Sequence, residues 1–144
     1  MKVLYKAKAV NYGGRNGHVK VEDSPLEFDM SKPSILGKSS KSGGANPEQL
    51  FAAAYASCFG SAVEHVVRVN KMSLDSYAVA VEVGIGKDEN DDYKLSAVIT
   101  LKVIGMDQAG ADTLIQEAHQ TCPYSKATRG NIEVDLLAIA DSTR

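Results

Sequence analysis

Cysteine is scarce in this chain: Cys58 and Cys122 are the two thiols among 144 residues. Two are too few for the disulfide framework of a small secreted domain and too few for a structural zinc site of the four-ligand kind. Excess charge is missing as well, since 16 lysines and arginines are interspersed with 18 acidic residues for a formal charge of −2. That balance argues against a nucleic-acid or membrane-surface partner. No stretch approaches the ~20 apolar residues of a membrane span, and in MKVLYKAKAV the lysines at 2, 6 and 8 interrupt any signal-peptide core. The expectation is a cytoplasmic protein, where a thiol pair is catalytic or inert rather than structural. Repeats, linkers and low-complexity segments are also missing, and 44% hydrophobic with 24% charged residues suits one soluble domain over 1–144.

What is present reads as an α+β domain. Val3, Tyr5, Ala7 and Ala9 alternate as in a half-buried strand, and the glycine-rich turn GGRNG at 13–17 leads into HVKVE to make a hairpin. The polar stretch 31–49 lacks apolar periodicity, and its part from 31 to 45, with Leu36, is read as a flap over a site. Asn46 caps and Pro47 opens a helix with Glu48 in its first turn. That helix is expected to run to about Asn70, roughly 36 Å, so it must be central. Ala53, Ser57 and Ser61, and likewise Ala52, Ala56 and Gly60, recur every four residues and leave two helix faces without bulk.

YAVAVEVGI at 77–85 and YKLSAVITLKV at 93–103 alternate across an acidic turn and predict a long antiparallel hairpin. A second helix over 107–121 carries Ala111, Leu114, Ile115 and Ala118 on one stripe, which extends to Cys122 before Pro123 stops it. IEVDLLAIA at 132–140 reads as the last strand. The expected architecture is antiparallel sheet packed on the long helix.

The two cysteines carry the chemical question. Cys58 lies about eleven residues into its helix, beyond reach of the favourable dipole end, among Phe51, Ala54, Phe59 and Ala62. Burial there raises a thiol pKa. A reactive Cys58 therefore needs a cation from elsewhere, and Arg15, flanked by glycines, is the best candidate; Arg68, some 15 Å along the same helix, fits poorly. Glu48 is also roughly 15 Å from Cys58 along a continuous helix, which favours its acting at the site of a second subunit packed on the small-residue faces. Cys122 is expected at a helix C-terminus, where the dipole disfavours negative charge and a resolving role is natural. As a permanent bond, the pair would add about 4 kcal/mol in an oxidising compartment. From spacing alone three readings stay open: inert core thiols, a redox pair, or metal ligation by Cys58 with His65 one helix face along. His18 and His119 have no spacing that distinguishes them.

Three motifs in order then resemble one family. GGRNG, ANPEQLFAAAYASCF at 45–59 and CPYSKATRGN at 122–131 are similar to the organic hydroperoxide resistance branch of the Ohr/OsmC family, and the resemblance covers essentially the whole chain. Lys126 departs from the asparagine expected there and touches no reactive group. The resemblance implies an OsmC-like fold, an intertwined homodimer with two active sites at the interface, and a thiol-dependent peroxidase. It implies Cys58 as peroxidatic cysteine, Cys122 as resolving cysteine, Arg15 as the activating cation and Glu48 as its anchor. It further implies organic and lipid-type hydroperoxides as substrates and lipoyl dithiols, free or on a lipoylated protein, as external reductant, with no metal and no bound cofactor.

On that reading the apolar surroundings of Cys58 become a substrate pocket: Leu50, Phe51, Phe59 and Tyr124 would hold an alkyl tail. Burying three methylenes gives on the order of 2 kcal/mol of preference over hydrogen peroxide. The rival readings are an osmotically induced relative of the same fold, a redox-sensing binding protein switched by the same disulfide, and a structural dimer with inert thiols.

Overall fold

The computed structural model describes residues 1–38 and 42–141. The chain divides into two compact units, Met1–Leu50 and Phe51–Arg144.

In the first unit, β1 (Ala9–Tyr12), β2 (His18–Val21) and β3 (Glu27–Asp29) form an antiparallel sheet in that order. The register pairs Ala9 with Val21 and Val19 with Phe28. The first strand begins later than the alternation predicts. Residues 1–8 are exposed and in no strand among the described residues, and the main-chain bond from the Glu22 N–H to the Lys8 carbonyl, at 2.8 Å, lies at their inner end. Alternation marks a segment as strand-competent; it does not supply the neighbouring edge that its N–H and C=O groups need.

The 31–45 loop is closed at its base. Ala45 bridges Met30, with its N–H on the Asp29 carbonyl at 2.9 Å and its carbonyl accepting from Ser31 at 2.8 Å. A Cβ at Gly44 would come within 2.8 Å of Asp29 and Met30 backbone atoms, so this approach requires glycine. Residues 39–41 of the expected flap lie outside the described residues.

Helix α1 (Pro47–Val69) follows the expected bounds closely. The Asn46 side chain accepts from the Gln49 N–H at 2.9 Å while the Gln49 side chain accepts from the Asn46 N–H at 3.0 Å, a reciprocal cap. At the other end Lys71 adopts φ +53° and the Met72 N–H reaches the Val67 carbonyl at 3.0 Å. With 23 residues, α1 is, contrary to the sequence expectation, long and apolar enough to cross a membrane by length and composition. Its many alanines and valines raise the average without making it apolar all round. Tyr55, Phe59, Ala62, Val63 and Val66 form its buried stripe, while Glu64, His65 and Arg68 are exposed.

In the second unit, β4 (Ser76–Lys87) and β5 (Tyr93–Ile104) form the predicted hairpin, paired from Ser76–Ile104 to Lys87–Tyr93. Asp88 shapes the turn by accepting from the Asn90 and Asp92 N–H groups. Helix α2 (Gln108–Thr121) is capped by Asp107, which accepts from the Gly110 N–H at 2.8 Å. A short helix α3 (Pro123–Thr128) and strand β6 (Glu133–Asp141) complete the unit.

The sheet order is β4-β5-β6, and β6 runs parallel to β5. This corrects the all-antiparallel expectation: α2 and α3 form a crossover long enough to return the chain to the same end of the sheet, which makes the next strand parallel. The α1 stripe packs with Ala97, Ile99, Leu101 and Val103 of β5 and with Ala111, Leu114, Ile115 and Ala118 of α2. The fold is thus mixed α+β, with two sheets and a central helix.

Candidate active site

Arg15 stands on a turn built to hold it. Gly13 and Gly14 have φ of +85° and +63°, in the left-handed region, and lead into a short 3₁₀ turn over Gly14–Asn16. Asn11 clamps the turn by donating to the Gly14 carbonyl at 3.1 Å and accepting from the Gly14 N–H at 2.8 Å. At Gly17 a Cβ would lie 1.7 Å from the Tyr12 carbonyl oxygen, so no side chain fits there.

From this turn the guanidinium donates both ends of its fork to Glu48, Nη1 to Oε2 at 2.8 Å and Nη2 to Oε1 at 2.6 Å. The bidentate geometry fixes the guanidinium plane as well as its position. Glu48 is largely shielded, and its hydrogen bonds from Arg15 outweigh that burial and hold its carboxyl below the usual glutamate range. The two predicted partners therefore pair within one chain. Leu50 is half-buried and lines, with Arg15, Asn11, Val19, Met30 and Pro47, a largely apolar cleft of about 310 Å³.

Cys58 and Cys122, 64 residues apart, are brought together as free thiols: the Cys122 thiol donates to the Cys58 sulfur at an Sγ–Sγ distance of 3.6 Å. Cys58 is half-buried and Cys122 fully buried. A disulfide needs about 2.05 Å, so the pair is one small displacement from bonding. Burial pushes the Cys58 thiol pKa up, the nearby Cys122 thiol adds to that, and the backbone N–H of Tyr124 acts in the opposite direction. None of these influences is a positive charge.

Cys122 is not simply at a helix end. Its N–H bonds the Ala118 carbonyl at 2.8 Å as the last link of α2, and its carbonyl accepts from the Lys126 N–H at 3.0 Å as the first link of α3. The opposing ends of two helices meet there, which removes the dipole argument for its role. Pro123 explains the difference, because proline both ends one helix and suits the first position of the next.

The pocket residues separate. Phe51 and Tyr124 stack at 6.5 Å and 18°, and Tyr55 completes a trio at 5.7 Å from Phe51 and 6.0 Å from Tyr124. Tyr124 is 39% exposed, whereas Phe59 has no exposed surface. Phe59 is therefore core and not an open pocket wall: it falls four residues after Tyr55 on the stripe that the sheet covers. His65 accepts from Arg68 at 3.1 Å, so the histidine once paired with Cys58 in a metal reading is engaged along its own helix.

Sequence reasoning missed a buried polar cluster beside the thiols. The Tyr55 hydroxyl meets Ser125 Oγ at 2.9 Å and Thr128 Oγ1 at 3.1 Å, and His119 Nδ1 meets Ser125 Oγ at 2.8 Å. The available signal was a tyrosine in an apolar helix, whose hydroxyl needs a partner when buried, together with two hydroxyls one turn apart in CPYSKAT.

Comparison with known proteins identifies the family. The family model of OsmC-like proteins matches residues 38–137. The organic hydroperoxide resistance protein OhrB of Bacillus subtilis is 42% identical over 134 residues, covering 92% of this chain and 96% of that protein. A crystal structure of an organic hydroperoxide resistance protein from Elizabethkingia anophelis superposes with a TM-score of 0.90 at 44% identity, over 98% of this chain and 100% of that one. One from Legionella pneumophila gives 0.89 at 42% identity, over 96% and 99%. The chain belongs to the OsmC-like family, within its organic hydroperoxide resistance group.

Proposed function

We propose that this protein is a thiol-dependent peroxidase that reduces organic hydroperoxides to alcohols. The observation that carries the reading is the free Cys58–Cys122 pair at 3.6 Å, one sulfur reachable and the other buried behind it; relatives named for organic hydroperoxide resistance support it. The Cys58 thiolate attacks the distal peroxide oxygen and the O–O bond breaks. The alkoxide leaves and takes a proton to become the alcohol, while Cys58 becomes a sulfenic acid. The Cys122 sulfur then attacks the Cys58 sulfur, the S–O bond breaks, and hydroxide leaves as water with the Cys122 proton. A dithiol, of the lipoyl type, exchanges with the resulting disulfide and restores both thiols while becoming a cyclic disulfide itself.

Arg15, oriented by Glu48, supplies the positive charge that favours the thiolate and the developing alkoxide. Leu50, Phe51 and Tyr124 contribute apolar surface for an alkyl chain. The chemistry requires no metal and no bound cofactor. The acting form is a homodimer in the cytoplasm with active sites at the subunit interface. Its support is the exposed strand-like segment 1–8 and the exposed row Ala53, Ser57 and Ser61, both suited to a second copy.

The test is steady-state consumption of cumene hydroperoxide and, separately, hydrogen peroxide, with dihydrolipoamide as reductant. Many turnovers, faster with the organic peroxide by about tenfold or more, are expected. One equivalent consumed and then arrest would favour a redox sensor; no consumption would overturn the peroxidase reading.

A further inference from the structure

The buried cluster beside the thiols contains four contacts, and counting protons gives them a direction. Tyr55, Ser125 and Thr128 each have one hydroxyl proton. Thr128 Oγ1 donates to the Ser125 carbonyl at 3.1 Å, so its contact with Tyr55 uses the Tyr55 proton. The contact between Tyr55 and Ser125 must then use the Ser125 proton. Nothing is left for the fourth contact, Ser125 Oγ to His119 Nδ1 at 2.8 Å, unless the imidazole itself donates. All four are satisfied together in one order: His119 Nδ1–H to Ser125, Ser125 to Tyr55, Tyr55 to Thr128, and Thr128 back to the Ser125 carbonyl. Burial, with Arg129 nearby, lowers the His119 pKa and so favours the neutral ring, and the contact with Ser125 places its one proton on Nδ1.

This chain joins three elements around the thiols. Tyr55 is on α1, one helical turn before Cys58; His119 is in the last turn of α2, before Cys122; Ser125 and Thr128 are on α3, just after it. Ser125 and Tyr55 have no exposed surface and Thr128 only 3%, so water cannot replace a lost partner without cost. The tether holds α3 where the Tyr124 N–H acts on the Cys58 sulfur and Cys122 waits at 3.6 Å.

We infer that Tyr55, through Ser125, Thr128 and His119, is a positioning residue for the resolving step, holding α3 so that the Cys122 sulfur is aligned on an oxidised Cys58. This rests on the proposed peroxidase reading and adds the residues that time its second half. The tether touches neither the peroxide nor the O–O bond, so its loss separates the two half-reactions. Cys58 is still oxidised, but the S–S bond that expels hydroxide forms more slowly and the sulfenic acid persists.

The experiment mixes reduced protein with one equivalent of cumene hydroperoxide and quenches at intervals with dimedone, which labels sulfenic acid, followed by intact mass. Wild type, Tyr55→Phe, His119→Ala and His119→Asn are compared, the last keeping an N–H near the Nδ1 position. In Tyr55→Phe and His119→Ala, peroxide loss is expected to stay within twofold of wild type while disulfide formation slows by about tenfold and the dimedone adduct accumulates. His119→Asn is expected to recover most of the rate. Equal disulfide rates in Tyr55→Phe and wild type overturn the inference, and if Tyr55→Phe does not fold, an unchanged rate in the half-buried His119→Ala does so. Failure of wild type to consume peroxide contradicts instead the peroxidase reading.

Discussion

The two candidate side-chain pairs join distant parts of the sequence in opposite ways. Arg15 and Glu48, 33 residues apart, are charged, partly exposed and already locked, with two hydrogen bonds of 2.6 and 2.8 Å. Cys58 and Cys122, 64 residues apart, remain unbonded at 3.6 Å, Cys122 within the apolar core cluster and Cys58 packed against it. The first pair is finished geometry on a turn that glycines and Asn11 make rigid. The second is held close but free to change its bonding, which a sulfur that must pass from thiol to sulfenic acid to disulfide requires. A preorganised charge and a chemically mutable pair are the division of labour expected when electrostatics must be ready before reaction.

If the thiol pair makes and breaks bonds while the ion pair tunes it, substitutions should fall in a definite order. Cys58→Ser removes the nucleophile and should abolish peroxide consumption in a direct peroxide assay. Arg15→Ala should lower the second-order rate with cumene hydroperoxide by roughly 10²–10³-fold with an unchanged circular dichroism spectrum; an unchanged rate would place thiol activation elsewhere and dissolve the comparison. Cys122→Ser should leave the first oxidation of Cys58 near the wild-type rate but consume a single equivalent, with poor turnover on dithiol. Full turnover in that variant removes the resolving role.

The smallest effect concerns pH. Glu48 has its folded-state pKa depressed below the ordinary 4.5, chiefly by Arg15. Its contribution to stability is therefore present above that ordinary value and lost as pH falls through the folded one. Urea midpoints should show Glu48→Gln losing stability relative to wild type at pH 7, with the gap closing as pH is lowered below about 4. A gap that is constant with pH would mean that the ion pair contributes no charge-dependent stability.

How much of this was legible in the sequence depended on whether the signal was local. The cap of α1 was, because Asn46 and Pro47 act on their own neighbours. So was the β4–β5 hairpin, whose partner strands follow one another. The parallel pairing of β6 was not, since it depends on where a two-helix crossover returns the chain. Helix α3 was hidden because Pro123 reads equally as a stop and as a start. Residues 3–8 show the alternation of a strand without the edge to pair with. At the site, both cysteines, Arg15 and Glu48 could be named from motifs, but no spacing shows that residues 64 apart touch. Phe59 was misassigned because an aromatic beside a cysteine looks the same whether it faces a pocket or the sheet. The Tyr55 tether escaped because its four members come from three helices.

The most direct measurement is the intact mass of the fully reduced protein before and after one equivalent of cumene hydroperoxide, beside a sample given hydrogen peroxide. The account predicts a loss of ~2 Da, the signature of an intramolecular Cys58–Cys122 disulfide, fast with the organic peroxide and slow with hydrogen peroxide. An unchanged mass would contradict it and leave the two sulfurs as packing residues.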